Sequence, residues 1–279
     1  METVELRRKA EAFRQMHTAK EILLLPNVWD VASACILAQA RFPAIATTSA
    51  GVAFALGYPD GEKIPKEEML AAVARIANAV KIPVTADVES GYGERPEDAS
   101  WTARAVIEAG AIGMNLEDAT HGSARPLLEI SHQLEKIRAV RETAAAMNVP
   151  LVLNARTDVY LLEVGDPNTR YDETIRRLHA YRDAGADCLF VPGLRDPQTI
   201  EPLVSELNFP INILGGPGAL SIGELQRLGV ARVSLGSGPM RATLGLMSRI
   251  ADELKTSGTY EQMLGAPSHS EINRLMEGD

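Results

Sequence analysis

Short apolar runs closed by proline, glycine or asparagine alternate along this chain with longer stretches whose apolar positions recur at helical spacing. Residues 4–17 read as an amphipathic helix, with Val4, Leu6, Phe13 and Met16 among its apolar positions. A strand at 22–25 follows, closed by Pro26-Asn27, and then a helix at 31–40. The next strands are 44–48, 83–89, 112–117 and 150–156, separated by helices at 66–80, 96–109 and 131–147. Pro96 stands at the first helical position, where proline is favoured. The second half keeps the rhythm with a helix at 171–184 and strands at 187–191, 211–214 and 231–235, helices lying between and after them. Ala109-Gly110, Ala184-Gly185 and Leu228-Gly229 end helices, because glycine takes the left-handed cap conformation without strain.

Eight strands alternating with helices predict an α/β protein, a (β/α)8 TIM barrel. It is expected to be one domain spanning 1–279, with an N-terminal helix and a C-terminal helical tail. An open doubly wound sheet would carry its glycine fingerprint in the first strand-to-helix turn. That turn here is P-N-V-W-D, without glycine.

Composition sharpens the picture in three ways. The chain is 46% hydrophobic but only 5% aromatic, so its core must be built from Ala, Leu, Val and Ile. A net charge of −9 excludes nucleic acid as the main partner, since phosphate backbones want basic surface. No apolar run approaches the ~18 residues that span a bilayer, and no basic start precedes an apolar core and cleavage site. These features predict a cytoplasmic protein, without membrane partners, acting on a small molecule. Cys35 lies in a helical pattern and Cys188 in a strand pattern, so both are expected as core thiols rather than a disulfide.

Candidate chemistry gathers where a barrel enzyme needs it, at the C-terminal ends of the strands. Residues 84–93 read V-T-A-D-V-E-S-G-Y-G, and alternation puts Thr85, Asp87 and Glu89 on one face. Taken alone, two acids so placed could be solvated loop residues. Buried together they would repel, and a hard divalent cation is the simplest source of positive charge. The neighbouring ends supply more: Thr47-Thr48-Ser49-Ala50-Gly51, then Asp60, then Asn115, Glu117 and Asp118, then Asn154, Arg156 and Asp158. The opposite strand ends carry ordinary residues. Glu117 could share a cation with Asp87 and Glu89, and the fork of Arg156 matches a carboxylate unless Asp158 or Glu117 already occupies it. His121 could reach this mouth as an acid or base, whereas His17, His132, His179 and His269 read as surface or packing residues. Gly-Gly-Pro-Gly (215–218) and Gly-Ser-Gly (236–238) sit where many barrels hold phosphate, which raises a rival phosphate-ester reading.

In this order the motifs L-L-L-P-N-V-W-D, T-T-S-A-G, L-G-Y-P-D-G, T-A-D-V-E-S-G-Y-G, N-L-E-D, N-A-R-T-D-V, Y-R-D-A-G-A-D and R-V-S-L-G-S-G resemble the isocitrate lyase / phosphoenolpyruvate mutase superfamily over nearly the whole chain. The resemblance implies a barrel whose last helix is exchanged with a neighbouring subunit, in a homodimer or homotetramer. It implies Mg²⁺ (or Mn²⁺) and chemistry on 2-oxo acids that makes or breaks a C–C or C–P bond. By position, Ser49, Ala50 and Gly51 would bind the substrate's carboxylate and carbonyl, with Tyr92, Asn154 and Arg156 also contacting substrate. Asp60, Asp87, Glu89 and Glu117 would form the acidic set around the metal, with Asp87, Glu89 and Glu117 as ligands and Asp87 nearest; together with His121, read from its position, Asp60 and Arg156 are the candidate catalytic groups. Glu89 stands where many members carry a second Asp.

Two departures narrow the activity. Isocitrate and methylisocitrate lyases carry K-[KR]-C-G-H soon after the strand-four acids, with its cysteine as the acid catalyst; residues 119–126 read A-T-H-G-S-A-R-P. The asparagine-bearing lid of phosphoenolpyruvate mutases is missing there too. The expectation is therefore a Mg²⁺-dependent lyase cleaving a C–C bond of a small 2-oxo or 2-hydroxy (di)carboxylic acid through a metal-bound enolate, in the manner of oxaloacetate decarboxylation or retro-aldol cleavage. C–P chemistry on a phosphonopyruvate-like substrate and a non-catalytic 2-oxo acid binding barrel are the alternatives. Contacts to the substrate's side chain are expected from residues 119–127, 192–195 and the C-terminal segment.

Overall fold

Pro26 makes the seam of the barrel. It has no N–H to donate, and it divides the first strand into β1 (Leu23–Leu25) and β2 (Asn27–Val28). β1 pairs with the last strand, β9 (Arg232–Ser234), while β2 pairs with β3 (Ile45–Thr47). Between them run β4 (Val84–Ala86), β5 (Gly113–Glu117), β6 (Val152–Arg156), β7 (Cys188–Val191) and β8 (Ile211–Leu214), each parallel to its neighbours. Both ends of the nine-stranded sheet therefore belong to one stretch of chain, and the sheet closes into the expected TIM barrel. The computed structural model describes residues 3–121 and 125–277.

Asn27 sutures that seam. Its Oδ1 accepts the N–H groups of Leu235 (2.7 Å) and Gly236 (2.9 Å), and its Nδ2 donates to the Thr47 carbonyl at 2.7 Å. Asn27→Ala is expected to lower the free energy of unfolding by about 1–3 kcal/mol, because buried backbone groups lose their partners. Denaturant unfolding checks this, and an unchanged midpoint would contradict it.

The helices surround the strands as predicted, from α1 (Thr3–Met16) and α2 (Val31–Gln39) through α4 (Lys66–Ala79), α5 (Pro96–Glu108), α6 (Ile130–Ala146), α7 (Arg170–Asp183) and α8 (Pro197–Leu207) to α9 (Ile222–Arg227). Gly110, Gly185 and Gly229 cap their helices with φ of 94°, 111° and 81°. Two local expectations need correcting. The turn expected at 47–51 runs into a short helix, α3 (Ser49–Ala55), because Thr48 caps it by accepting the Gly51 N–H. The strand expected over 83–89 stops at Ala86. Glu89, Gly91, Tyr92 and Gly93 all take positive φ (52°, 92°, 59° and 150°), so the acid-bearing stretch curls over the barrel mouth instead of extending.

Aliphatic side chains such as Val106, Ile107, Val140, Leu178 and Leu203 fill the layer between sheet and helices. The barrel interior is more polar, with buried Asn27, Asn115, Asn154, Asn212 and Ser234. Asn154 Nδ2 donates to Asn115 Oδ1 (2.7 Å) and Asn212 Nδ2 donates to Ser234 Oγ (3.1 Å). Below them Arg232, 1% exposed, places Nη1 3.5 Å from His17 Nε2. His17 is therefore a packing residue. Burial and the Arg232 charge push its imidazole down to about 3, which keeps it neutral. Both cysteines are free thiols, Cys188 buried and Cys35 half-buried.

The C-terminal helices break the pattern. α10 (Gly238–Thr256) buries only Met240, and leaves Leu244, Leu246, Met247 and Leu254 exposed. α11 (His269–Glu277) has no buried residue and lies against α2. Among the described residues no helix is long and apolar enough to cross a membrane.

Candidate active site

β3, β4, β5 and β6 end side by side, and their terminal residues build one acidic mouth. Asp87 follows directly on β4. Its N–H donates to Thr47 Oγ1 (2.9 Å), which fixes the backbone as the strand ends. Its Oδ2 accepts the Ser49 N–H (3.1 Å) and hydroxyl (3.0 Å), and its Oδ1 accepts Asn115 Nδ2 at 3.2 Å. Two of the three amides expected to meet substrate are thus committed within the chain, Ser49 to Asp87 and Gly51 to Thr48.

Glu89 enters from the curled loop. Its Oε2 accepts the Glu62 N–H at 2.8 Å, while its buried Oε1 has no hydrogen-bond partner among the described residues. Glu117, the last residue of β5, sits with Oε1 3.2 Å from His121 Nε2 and Oε2 2.7 Å from Arg156 Nη1. His121 Nε2 is also 3.5 Å from Glu89 Oε2. Arg156 spends the fork that could have met a substrate carboxylate on Asp158, donating from Nε (2.6 Å) and Nη2 (2.8 Å). Its guanidinium also lies 5.7 Å from the Phe190 ring centre. Asp60 stands at the rim on the loop before α4.

Electrostatics follow from crowding acids out of water. Burial, then the charge of Glu117, pushes the Glu89 carboxyl up. Burial also pushes up Glu117, against the opposing pull of Arg156. Asp60 is raised by burial and by Asp87. The hydrogen bond to Glu117 raises His121 against its own burial, so this imidazole favours its charged form. Burial works against the Arg156 charge, but Asp158 and Glu117 more than offset it.

The residues predicted from sequence therefore converge: Asp60, Asp87, Glu89, Glu117, His121, Asn154 and Arg156 are brought to one mouth. Tyr92 borders it too, its buried hydroxyl without a partner among the described residues and pushed up by burial, then by the charges of Glu89 and Glu62. Asp118 does not belong to the mouth. It is fully buried behind it, accepting from Thr157 Oγ1, the Asp158 N–H, Arg177 Nη1 and Tyr181 OH. Residues 122–124 of the 119–127 loop lie outside the described residues, and Ala119 pairs with Leu127 at its base.

Sequence reasoning missed two supports. Glu62 Oε1 accepts the Ser90 hydroxyl (2.6 Å) and the Tyr92 N–H (2.8 Å). Lys136, fully buried on α6, donates to the Ser90 and Gly93 carbonyls at 2.5 and 2.7 Å and so holds the strained loop from behind. The signal for Lys136 was present in the sequence. It shares the buried stripe of Gln133, Ile137 and Val140, where a charge needs a reason.

Among the described residues Glu89, Glu117 and His121 each offer a ligand atom within 4.8 Å of the others. Hard carboxylate oxygens, one of them buried and unpartnered, suit a divalent cation. The glycine loops suit phosphate poorly: the amides of Gly215, Gly236 and Gly238 go to Ser234 O, Asn27 Oδ1 and Leu235 O.

Comparison with known proteins agrees with the barrel fold. The sequence model of the family described as phosphoenolpyruvate phosphomutase matches residues 13–255. A crystal structure from Burkholderia cenocepacia J2315, provisionally assigned as a lyase/mutase, is similar with a TM-score of 0.91 and 41% identity, covering 97% of this chain and 96% of that one. The oxaloacetate decarboxylase of Ectopseudomonas mendocina (strain ymp) is 33% identical over 230 residues, 78% of this chain and 75% of its own. An oxaloacetate acetylhydrolase solved with the product oxalate gives a TM-score of 0.84 at 25% identity, over 96% of this chain and 93% of that one. With the family model matching residues 13–255 and the barrel shared with these proteins, this chain belongs to the phosphoenolpyruvate phosphomutase family, within the PEP mutase/isocitrate lyase superfamily of carbon–carbon lyases and mutases.

Proposed function

We propose that this protein is a Mg²⁺- or Mn²⁺-dependent lyase that cleaves a C–C bond of a small 2-oxo or 2-hydroxy dicarboxylic acid through an enolate. The carrying observation is the acidic mouth itself, in which Glu89 and Glu117 are buried together and Glu89 Oε1 has no hydrogen-bond partner among the described residues. Relatives named for oxaloacetate decarboxylation and oxaloacetate acetylhydrolysis support a C4 2-oxo diacid as the substrate class.

Asp87, Glu89 and Glu117 would hold the cation, which would supply positive charge for the enolate oxygen that develops when the bond breaks. The chain's own groups do the remaining work. Arg156 keeps N–H groups beyond those given to Asp158 and Glu117, and these face the substrate carboxylate. The Ala50 amide, the one of the three expected amides not given to Asp87 or Thr48, meets the carbonyl end. The Tyr92 hydroxyl and Asn154 Oδ1, both buried and without a hydrogen-bond partner among the described residues, receive the substrate's polar groups. Asp60 and His121 are the titratable groups at the rim that can move a proton to the carbon left when the bond breaks.

Asp87→Ala is expected to lower turnover of such acids by about 10²-fold or more, because the variant would hold less firmly the cation that supports the developing charge. Unchanged turnover on every such acid would sink the mechanism. In chelator-treated protein, Mg²⁺ or Mn²⁺ at about 100 times its Kd is expected to raise the unfolding free energy by about 2.7 kcal/mol. No shift in melting temperature with either ion would contradict a cation site. The exposed Leu244, Met247 and Leu254 of α10 support a homodimer or homotetramer in which this helix packs on a neighbouring subunit. A monomer by light scattering would overturn that arrangement.

A further inference from the structure

We propose that the fork of Arg232, sealed inside the N-terminal end of the barrel, binds a small monovalent anion such as chloride. The site lies at the opposite end of the strands from the acidic mouth, and it is independent of what the mouth binds.

Arg232 opens β9 and shares a strand face with Ser234, which puts it inside the barrel below the Asn212–Ser234 pair. It is 1% exposed, and among the described residues its side chain has one polar contact, His17 Nε2 at 3.5 Å from Nη1. Nδ1 of that ring lies 2.9 Å from the Phe13 carbonyl, which can only accept, so Nδ1 carries the proton and a neutral Nε2 faces the guanidinium. A neutral ring leaves the charge uncompensated. Nε and Nη2 are buried without a hydrogen-bond partner among the described residues. Burial pulls the guanidinium down to about 10, so it stays charged at neutral pH. Other arginines drawn into the interior are treated differently. Arg156 gives the same Nε/Nη2 edge to Asp158 at 2.6 and 2.8 Å, Arg177 meets Asp118 at 3.0 Å, and Arg141 meets Asp187 at 2.8 Å. Water at the fork of Arg232 would satisfy its N–H groups but not its charge, and an unpaired buried charge is costly. An anion seated between Nε and Nη2 satisfies both. One charge calls for one monovalent ion, and the enclosure keeps it small. The way in is a cleft of about 330 Å³ whose walls include His17 and Ala231, the contact and the chain neighbour of Arg232, with Lys20 adding positive charge.

The test joins crystallography of the full chain in bromide, with data at the bromine absorption edge, to thermal unfolding in solution. The expected crystal result is an anomalous peak within hydrogen-bonding reach of both Nε and Nη2 of Arg232. In solution, chloride is exchanged for the bulky anion gluconate at constant ionic strength. The melting temperature of the wild-type chain should rise by about 5 °C once chloride reaches about 100 times its Kd, and that of Arg232→Met should not respond. The bromide experiment needs no variant, so a folding defect in Arg232→Met leaves the proposal open to refutation. Density at the fork without anomalous signal would identify water and overturn the proposal. A bromide peak together with a melting temperature indifferent to chloride would mean an adventitious ion only, and would overturn it as well.

Discussion

Replacing Arg156 by methionine is expected to lower the free energy of unfolding by about 3–5 kcal/mol and to remove activity together with stability. The guanidinium is enclosed by Asp158, which is 2% exposed, and Glu117, also 2% exposed. It meets the first through two hydrogen bonds and the second at 2.7 Å. Removing it leaves two buried carboxylates without their cation, and the loss of compensation costs more than the pair contributes when whole. The double variant Arg156→Met with Asp158→Asn should therefore regain part of the stability and none of the turnover. Thermal and denaturant unfolding measure the first, and a substrate assay the second. A stability loss under about 1 kcal/mol would show that water reaches these acids.

Arg177→Met is expected to be comparably damaging, by about 3–5 kcal/mol, although Arg177 lies outside the mouth. Its Nη1 donates to Asp118 at 3.0 Å and to the Leu128 carbonyl at 2.9 Å. Asp118 is fully buried, and its carboxyl is pushed up by burial against the pull of Arg177. The same aspartate ties the ends of two strands together through Thr157 and Asp158, and its carbonyl accepts the Leu128 N–H. Without the guanidinium, the base of the 119–127 loop should open, seen as faster amide exchange at Leu128 and Asp158. Unchanged exchange and stability would mean that Tyr181 and Thr157 alone satisfy the acid.

The barrel was legible in the sequence because its two periods are clean. Several strand runs end on proline or glycine (Pro26, Pro192, Gly215 and Gly236), three helices end on Ala-Gly or Leu-Gly, and the glycines of those three helix ends take the expected left-handed caps. The seam was not legible. Pro26 reads as the end of a strand, and only the pairing of Asn27 with Ala46 reveals a second segment beyond it. The acids were legible by position, but the conformation of Glu89 was not. A residue at φ of 52° violates strand alternation, and Lys136, Glu62 and Thr102 hold that loop from distant parts of the chain. Ser49 and Gly51 were legible as a polar turn, yet sequence could not show that Asp87 and Thr48 take their amides. Arg156 carried both of its possible uses in the motif N-A-R-T-D, and the geometry spends its fork on Asp158.

The central claim is C–C cleavage of a 2-oxo or 2-hydroxy diacid at the acidic mouth. It is tested most directly by following carbon NMR spectra of the purified protein with Mg²⁺ or Mn²⁺ and a panel holding oxaloacetate, methylisocitrate-like acids and phosphonopyruvate. Product from a carbon acid, faster than the metal-only control and lost in Asp87→Ala, is the predicted result. Turnover of phosphonopyruvate alone, or saturable binding of these acids with no product under either ion, would contradict the account.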